Sequence, residues 1–578
     1  MKKNCLLVCI LAYSFLSFSG STPPSKNVLF NNYKTGFIQR LWKMYPDWAT
    51  LVGYHKYDSV LYIPNDLQRT KELSFATVEL KKLKSIPVDQ LASSNKIDYY
   101  LMENFLNRSQ WDIQHVKSFE WDPSEYNVGN SFSYILSETY APLKVRLANF
   151  FIKLKNIPDY YAAAQKNIKN PTAEHLQLAI DQNEGSLSIF ENDYVDSVKA
   201  MKFYPETEQA YLKRGKEAAD AIRNYIAFLK SYKNETPRSF RLGAELYAEK
   251  FNYNIQSQYT SDQIFKAALD RKEYLLSEME KLARKLWSKY FGNSNPPKDR
   301  LLMIKKVIDT ISIQHVKPED FRKEIEKQLP ELTAFVKEKN LVYMDPTKPL
   351  KVRKEPGYMA GVAGASMSSP GPYEKNGTAY YNVGTLDGWS AERSESYLRE
   401  YNNYILQILN IHEAIPGHYV QLMYSNKSPS IIKTVFANGA MIEGWAVYSE
   451  YMMLENGYGN NEPEMWLMYY KWNLRAVCNT ILDISIHTKN MSKEEAMDMM
   501  VNQAFQQQAE AEGKWKRATL TSVQLSSYFT GFYEIIQLRE AYQKAKGSDY
   551  TLKQFNEAFL SYGSAPVKYI KEQLLPQK

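Results

Sequence analysis

Helical periodicity over almost the whole chain, interrupted by one glycine-, serine- and proline-rich stretch, is what most constrains the fold. From Asn27 to about Lys230 apolar residues recur at helical spacing, as at Phe37, Leu41 and Tyr45, and again at Tyr140, Leu143 and Phe150. Pro46, Pro123, Pro158 and Pro171 mark helix starts or turns. Ser231 to Pro237 forms a boundary, a long charged amphipathic helix is expected over about Ser261 to Tyr290, and Asn293 to Arg300 reads as a surface loop. Near Leu341 the texture changes. Leu341–Met344, Leu350–Val352 and Thr378–Val383 read as short strands around a loop from Gly357 to Gly377. Helical periodicity resumes at Glu392. The expected fold is mainly α, with an N-terminal helical lobe over 27–235, a second lobe over 240–578 and a small β element near 341–383. At 578 residues the chain is too long for a single core.

Lys2 and Lys3 followed by the apolar run Cys5–Phe18 and the small residues Ser19-Gly20-Ser21 read as a signal peptide over 1–20. No cysteine stands at the cleavage point, so the expected product is a periplasmic or secreted protein without a lipid anchor. Only Cys478 of three cysteines lies beyond the leader, which leaves no internal disulfide. No later segment is long and apolar enough to span a bilayer. A net charge of +8 over this length, with both signs interspersed, lacks the basic stripe that nucleic acid requires. The 44 tyrosines serve mainly as amphipathic packing residues.

The chemistry concentrates in His412-Glu413-Ala414-Ile415-Pro416-Gly417-His418 and, 25 residues on, Glu443-Gly444-Trp445-Ala446. Two imidazoles and a carboxylate are a zinc donor set that leaves a position open, and a glutamate beside the first histidine can act as general base. In a straight helix residues six apart point about 120° away from each other. Convergence of His412 and His418 therefore requires a break at Pro416-Gly417. Glu443 is preferred as the third ligand and Glu450, seven residues on and on nearly the same face, competes for the role. Asp483 and His487, four apart, read equally as an oxyanion-stabilising pair or a surface salt bridge. Tyr528 is a candidate oxyanion donor, Arg475 and Arg539 are candidate grips for a terminal carboxylate, and the 378–383 strand, with Tyr381 and Asn382, is a candidate edge for an extended peptide.

The chain resembles the bacterial family known as domain of unknown function 885. The resemblance rests on Tyr45-Pro46-Asp47-Trp48-Ala49-Thr50, Trp121-Asp122-Pro123-Ser124-Glu125-Tyr126, the His412–His418 and Glu443–Glu450 motifs, Asp483–His487, Tyr528-Phe529-Thr530-Gly531 with Leu538-Arg539-Glu540, and Gly563-Ser564-Ala565-Pro566. Through it the chain is similar to glutamate-zincin metallopeptidases, two-lobed helical clamshells with a deep central channel. The resemblance implies one zinc per chain on His412, His418 and Glu443, with Glu413 as base; the leading expectation is a peptidase acting on peptides, with His487 and Tyr528 at the oxyanion. The chain departs from the family where Asp-Thr-Gly-Leu-His becomes Asp483-Ile484-Ser485-Ile486-His487. Two other readings stay open: a helical binding protein with a structural or vestigial metal site, and a metal-dependent hydrolase of cell-wall peptide amides.

Overall fold

The computed structural model describes residues 25–355, 365–374 and 377–575. The signal-peptide reading and much of the 357–377 loop lie outside the described residues. Within them the chain is mainly helical, with one small sheet, as expected. The longest helix, Ser261–Phe291, starts on a capping box in which Thr260 and Gln263 satisfy each other's backbone N–H groups. It stops at Gly292, whose φ of 60° suits glycine. Its apolar stripe lies against the Pro463–Thr488 helix. No helix among the described residues is long and apolar enough to cross a membrane.

Apolar burial falls into two clusters. One gathers Leu61 with residues between Tyr126 and Leu229. The other runs from Phe30 to Leu106 and then from Tyr247 to Ile570. The first helices of the N-terminal segment thus share a core with the C-terminal half. A buried ion network fastens this long-range contact. Asp98 accepts from Lys34 at 2.5 Å and from Lys433 at 2.6 Å, and Ser430 donates to it at 2.6 Å.

The sheet contains β1 (Leu350–Lys354), β2 (Ala365–Ser368) and β3 (Ala379–Val383), in the order β1-β3-β2. β3 pairs parallel with β1 and antiparallel with β2. Two expectations change here. Residues 341–344 are not a strand, and β2 lies inside the stretch read as loop. Because β2 takes the second edge of β3, the 378–383 segment is central and has no edge for a peptide.

Candidate metal centre

The first histidine closes the Asn403–Glu413 helix, which Asn402 caps by accepting from the backbone of Tyr404 and Ile405. The helix ends at Glu413, the Ile415–Pro416 peptide is cis, and the next helix begins at His418. The break demanded by the six-residue spacing is therefore present where proline and glycine stand. Gly417 folds directly onto the end of the first helix, its N–H donating to Ile411 O at 2.9 Å. A Cβ at 417 would lie 1.9 Å from His412 O, so only glycine fits. Trp445 Nε1 donates to Pro416 O at 2.9 Å and pins the turn to the neighbouring helix.

The turn brings the imidazoles of His412 and His418 to a ring separation of 4.8 Å at 86°. Donor atoms of His412, Glu413 and His418 lie within 4.8 Å of one another. Glu443 enters from the Gly439–Glu455 helix, with Oε2 3.7 Å from His412 Nε2 and 3.4 Å from His418 Nε2. That oxygen is buried and has no hydrogen-bond partner. Ligands about 2.0–2.1 Å from a tetrahedral zinc stand about 3.3–3.4 Å from each other. The donor set fits such an ion. Glu450, seven residues along the same helix, lies on the far side of His412, where it accepts from Nδ1 at 2.7 Å and from Trp472 Nε1 at 3.0 Å. With the Nδ1 proton held there, Nε2 turns a lone pair toward His418 and Glu443. The two glutamates thus face different nitrogens of the His412 ring.

Close helix packing sets the depth of the site. Gly444 and Gly531 bring the Gly439–Glu455 and Ser527–Lys546 helices together backbone to backbone; a Cβ at 531 would stand 1.8 Å from Ala440 O. Tyr528, one turn before Gly531, lies with its ring 6.4 Å from that of His412. Burial, then the nearby Glu443 carboxylate, pushes its phenol up to about 12, so it carries its proton at neutral pH. Burial also pushes the carboxyl of Glu413 up, against the opposing pull of His418 and His412. Burial acts to lower His412, but the nearby carboxylates of Glu443 and Glu450 outweigh it and raise the imidazole.

The other expected site residues go elsewhere. His487 donates from Nε2 toward Ala518 O at 3.1 Å and Thr521 O at 2.9 Å. Asp483 accepts from Val523 N, Ser526 N and Ser526 Oγ, each at 3.0 Å. The pair is wholly buried and shapes the turn that feeds the Tyr528 helix, with Val523 at φ 71°. Arg475 is ion-paired with Glu510 and stacks over Trp472. Arg539 grips Glu455 through both terminal nitrogens. Tyr381 donates to Asn410 Oδ1 at 2.8 Å, and Asn382 donates to Ser368 Oγ at 2.7 Å while accepting from Arg353 at 2.6 Å. Both are fully buried, as residues of a central strand should be.

The Gln508–Leu520 helix brings two cations to the site that were not expected there. Its Arg517 donates to Tyr528 OH at 3.2 Å, and its buried Lys514, lowered to about 7 by desolvation and then by Arg475, feels the Glu443 charge. The signal was there: Glu510, Lys514 and Arg517 recur at i, i+4 and i+7, one helical face.

The family model described as bacterial protein of unknown function (DUF885) matches residues 46–574. The chain belongs to the DUF885 family. A solved structure from Shewanella oneidensis, described as a candidate lipoprotein of unknown function, is 51% identical, with TM-score 0.86 over 95% of this chain and 100% of that one. A candidate lipoprotein from Colwellia psychrerythraea has 17% identity and TM-score 0.77, covering 95% and 98%, and shares the fold. No curated protein matches. The lipoprotein description of the 51% identical relative runs against the expectation of export without a lipid anchor.

Proposed function

We propose that this DUF885 protein is a zinc-dependent peptidase with His412, His418 and Glu443 as ligands and Glu413 as general base. The unpartnered Glu443 oxygen facing two imidazole nitrogens carries the reading. When bound, a zinc ion polarises the scissile carbonyl and acidifies water. Glu413, held above the ordinary glutamate range by burial, takes the proton from the attacking water and passes it to the leaving amine. Glu450 fixes the His412 ring. Tyr528 donates its hydroxyl hydrogen to the developing oxyanion, with Arg517 bonded to the same oxygen adding positive charge. Arg517, which has no carboxylate among the ion pairs of the described residues, replaces Arg475 and Arg539 as the cation suited to a peptide carboxylate, because those two are already paired, as is Lys514 with Glu510 at 3.9 Å. The lipoprotein description of the 51% identical relative supports a lipid-anchored location for this chain.

The test is hydrolysis of a mixed peptide library by wild type and Glu413→Gln. Both should hold zinc, and the variant should lose about 10²–10⁴-fold in turnover. Wild type that holds zinc and cuts no peptide ends the peptidase reading.

A further inference from the structure

Two motifs of the sequence, Tyr45-Pro46-Asp47-Trp48 and Asp122-Pro123-Ser124-Glu125-Tyr126, have no part in the metal centre. They meet at a cavity of about 420 Å³ at the seam of the two hydrophobic cores, in the size range of small-molecule sites. Its walls are aromatic, with Tyr45, Trp48, Tyr62 and Tyr126, and its charges are mainly acidic.

The charges do not cancel. Asp47 is paired with Lys153 at 2.6 Å, and Asp112 with Arg108 at 3.4 Å. Arg69, the cation in the lining, spends its donors on Asp66, Pro64 O and Asn167 and lies over the Phe119 ring at 4.3 Å. Glu72 and Glu125 have no such partner among the ion pairs of the described residues. Glu72 is 7% exposed, and its Oε1 has no hydrogen bond. A buried carboxylate oxygen left in this state is destabilising unless a partner arrives. Burial pushes the Glu72 carboxyl up, and the more exposed Glu125 stands beside the negative charge of Asp122, so both acids stand in surroundings that favour an added positive charge.

We propose that this cavity binds an organic cation, a ligand carrying an ammonium group that ion-pairs with Glu72 and Glu125 between aromatic walls. A metal ion is the poorer fit. Among the described residues, the one group of three metal donors within bonding range of a common point is that of His412, Glu413 and His418. Tyrosine and tryptophan faces, by contrast, attract an ammonium group within about 6 Å of the ring centre. The ammonium can belong to a free amine or to the side chain of a basic residue, and the experiment separates the two.

Titration calorimetry on the full chain compares cadaverine with the neutral 1,5-pentanediol, and N-acetyl-lysinamide with N-acetyl-leucinamide. A cation should bind saturably and its neutral counterpart should not. Cadaverine binding alone identifies a free amine, and N-acetyl-lysinamide binding identifies a basic side chain. Glu72→Gln and Glu125→Gln should each weaken the cation about tenfold or more, the loss expected of one hydrogen bond to a charged group. Should Glu72→Gln fail to fold, Glu125→Gln, at a solvent-accessible position, decides. The proposal is overturned if neither cation binds, if the neutral compounds bind as tightly, or if the folded variants bind like wild type.

Discussion

Gly531→Ala should damage the site without touching any residue of it. The added methyl would stand 1.8 Å from Ala440 O and 2.7 Å from Gly444 Cα, and both neighbours are backbone that cannot rotate away. Reaching ordinary contact requires the two helices to part by roughly 1.5 Å, and overpacking of this kind costs about 1–3 kcal/mol. With an unfolding entropy of about 2 cal/mol/K per residue, a chain of this length loses about 1 °C per kcal/mol, so Tm should fall by about 1–3 °C. The larger effect is on chemistry. Tyr528 lies one turn before Gly531 on the displaced helix, and a shift of about 1 Å from Glu443 and His412 should lower turnover about a hundredfold. Calorimetry and steady-state hydrolysis measure both. Gly185→Ala is the control: this helical glycine has nothing within 4 Å of its added Cβ, so the substitution should leave turnover unchanged and stabilise slightly. A Gly531→Ala protein with wild-type Tm and turnover would refute the account of how the helices set the site.

Other consequences are read separately. Glu450→Gln leaves a poorer acceptor on His412 Nδ1 and should weaken zinc about 10–100-fold in a chelator competition while the helix content stays constant. Because burial raises the Glu413 carboxyl, the base is active only above that raised value; activity should fall on acidification through a pKa above the ordinary glutamate value of about 4.3. A limb at or below that value in kcat/KM would contradict the assignment. Tyr528→Phe should cut kcat about a hundredfold with little change in KM, and an equal rise in KM instead would make Tyr528 a binding residue. Asp98→Ala strands Lys433 and Lys34 in the interior and should cost about 3–5 kcal/mol in denaturant unfolding; a loss under 1 kcal/mol would show that the network holds nothing together.

Local chemistry was legible in the sequence, and long-range partnership was not. Pro416 and Gly417 announced the break between the histidines, since proline ends a helix and glycine allows the chain to fold back on His412 O. The i, i+7 spacing put Glu443 and Glu450 on one helix face, but which side of His412 each would meet depends on how that helix crosses its neighbour. Asp483 and His487 share a helix face as their spacing implies, yet both are buried and each bonds to the turn before Tyr528, neither at the surface nor beside the metal donors. The partners of Arg475 and Arg539, namely Glu510 and Glu455, lie 35 and 84 residues away and left no local mark. Tyr381 and Asn382 were misplaced for a single reason. Ala365-Ser366-Met367-Ser368 is too short and polar to read as a strand, and without it β3 looks like an edge.

The most direct test of the metal centre is zinc-edge anomalous diffraction from crystals grown with zinc, paired with zinc content in solution for wild type and His418→Ala. The account predicts one ion per chain, ligated by His412 Nε2, His418 Nε2 and a Glu443 oxygen, and its loss in the variant. An ion elsewhere, none at all, or His418→Ala retaining full zinc content would contradict it.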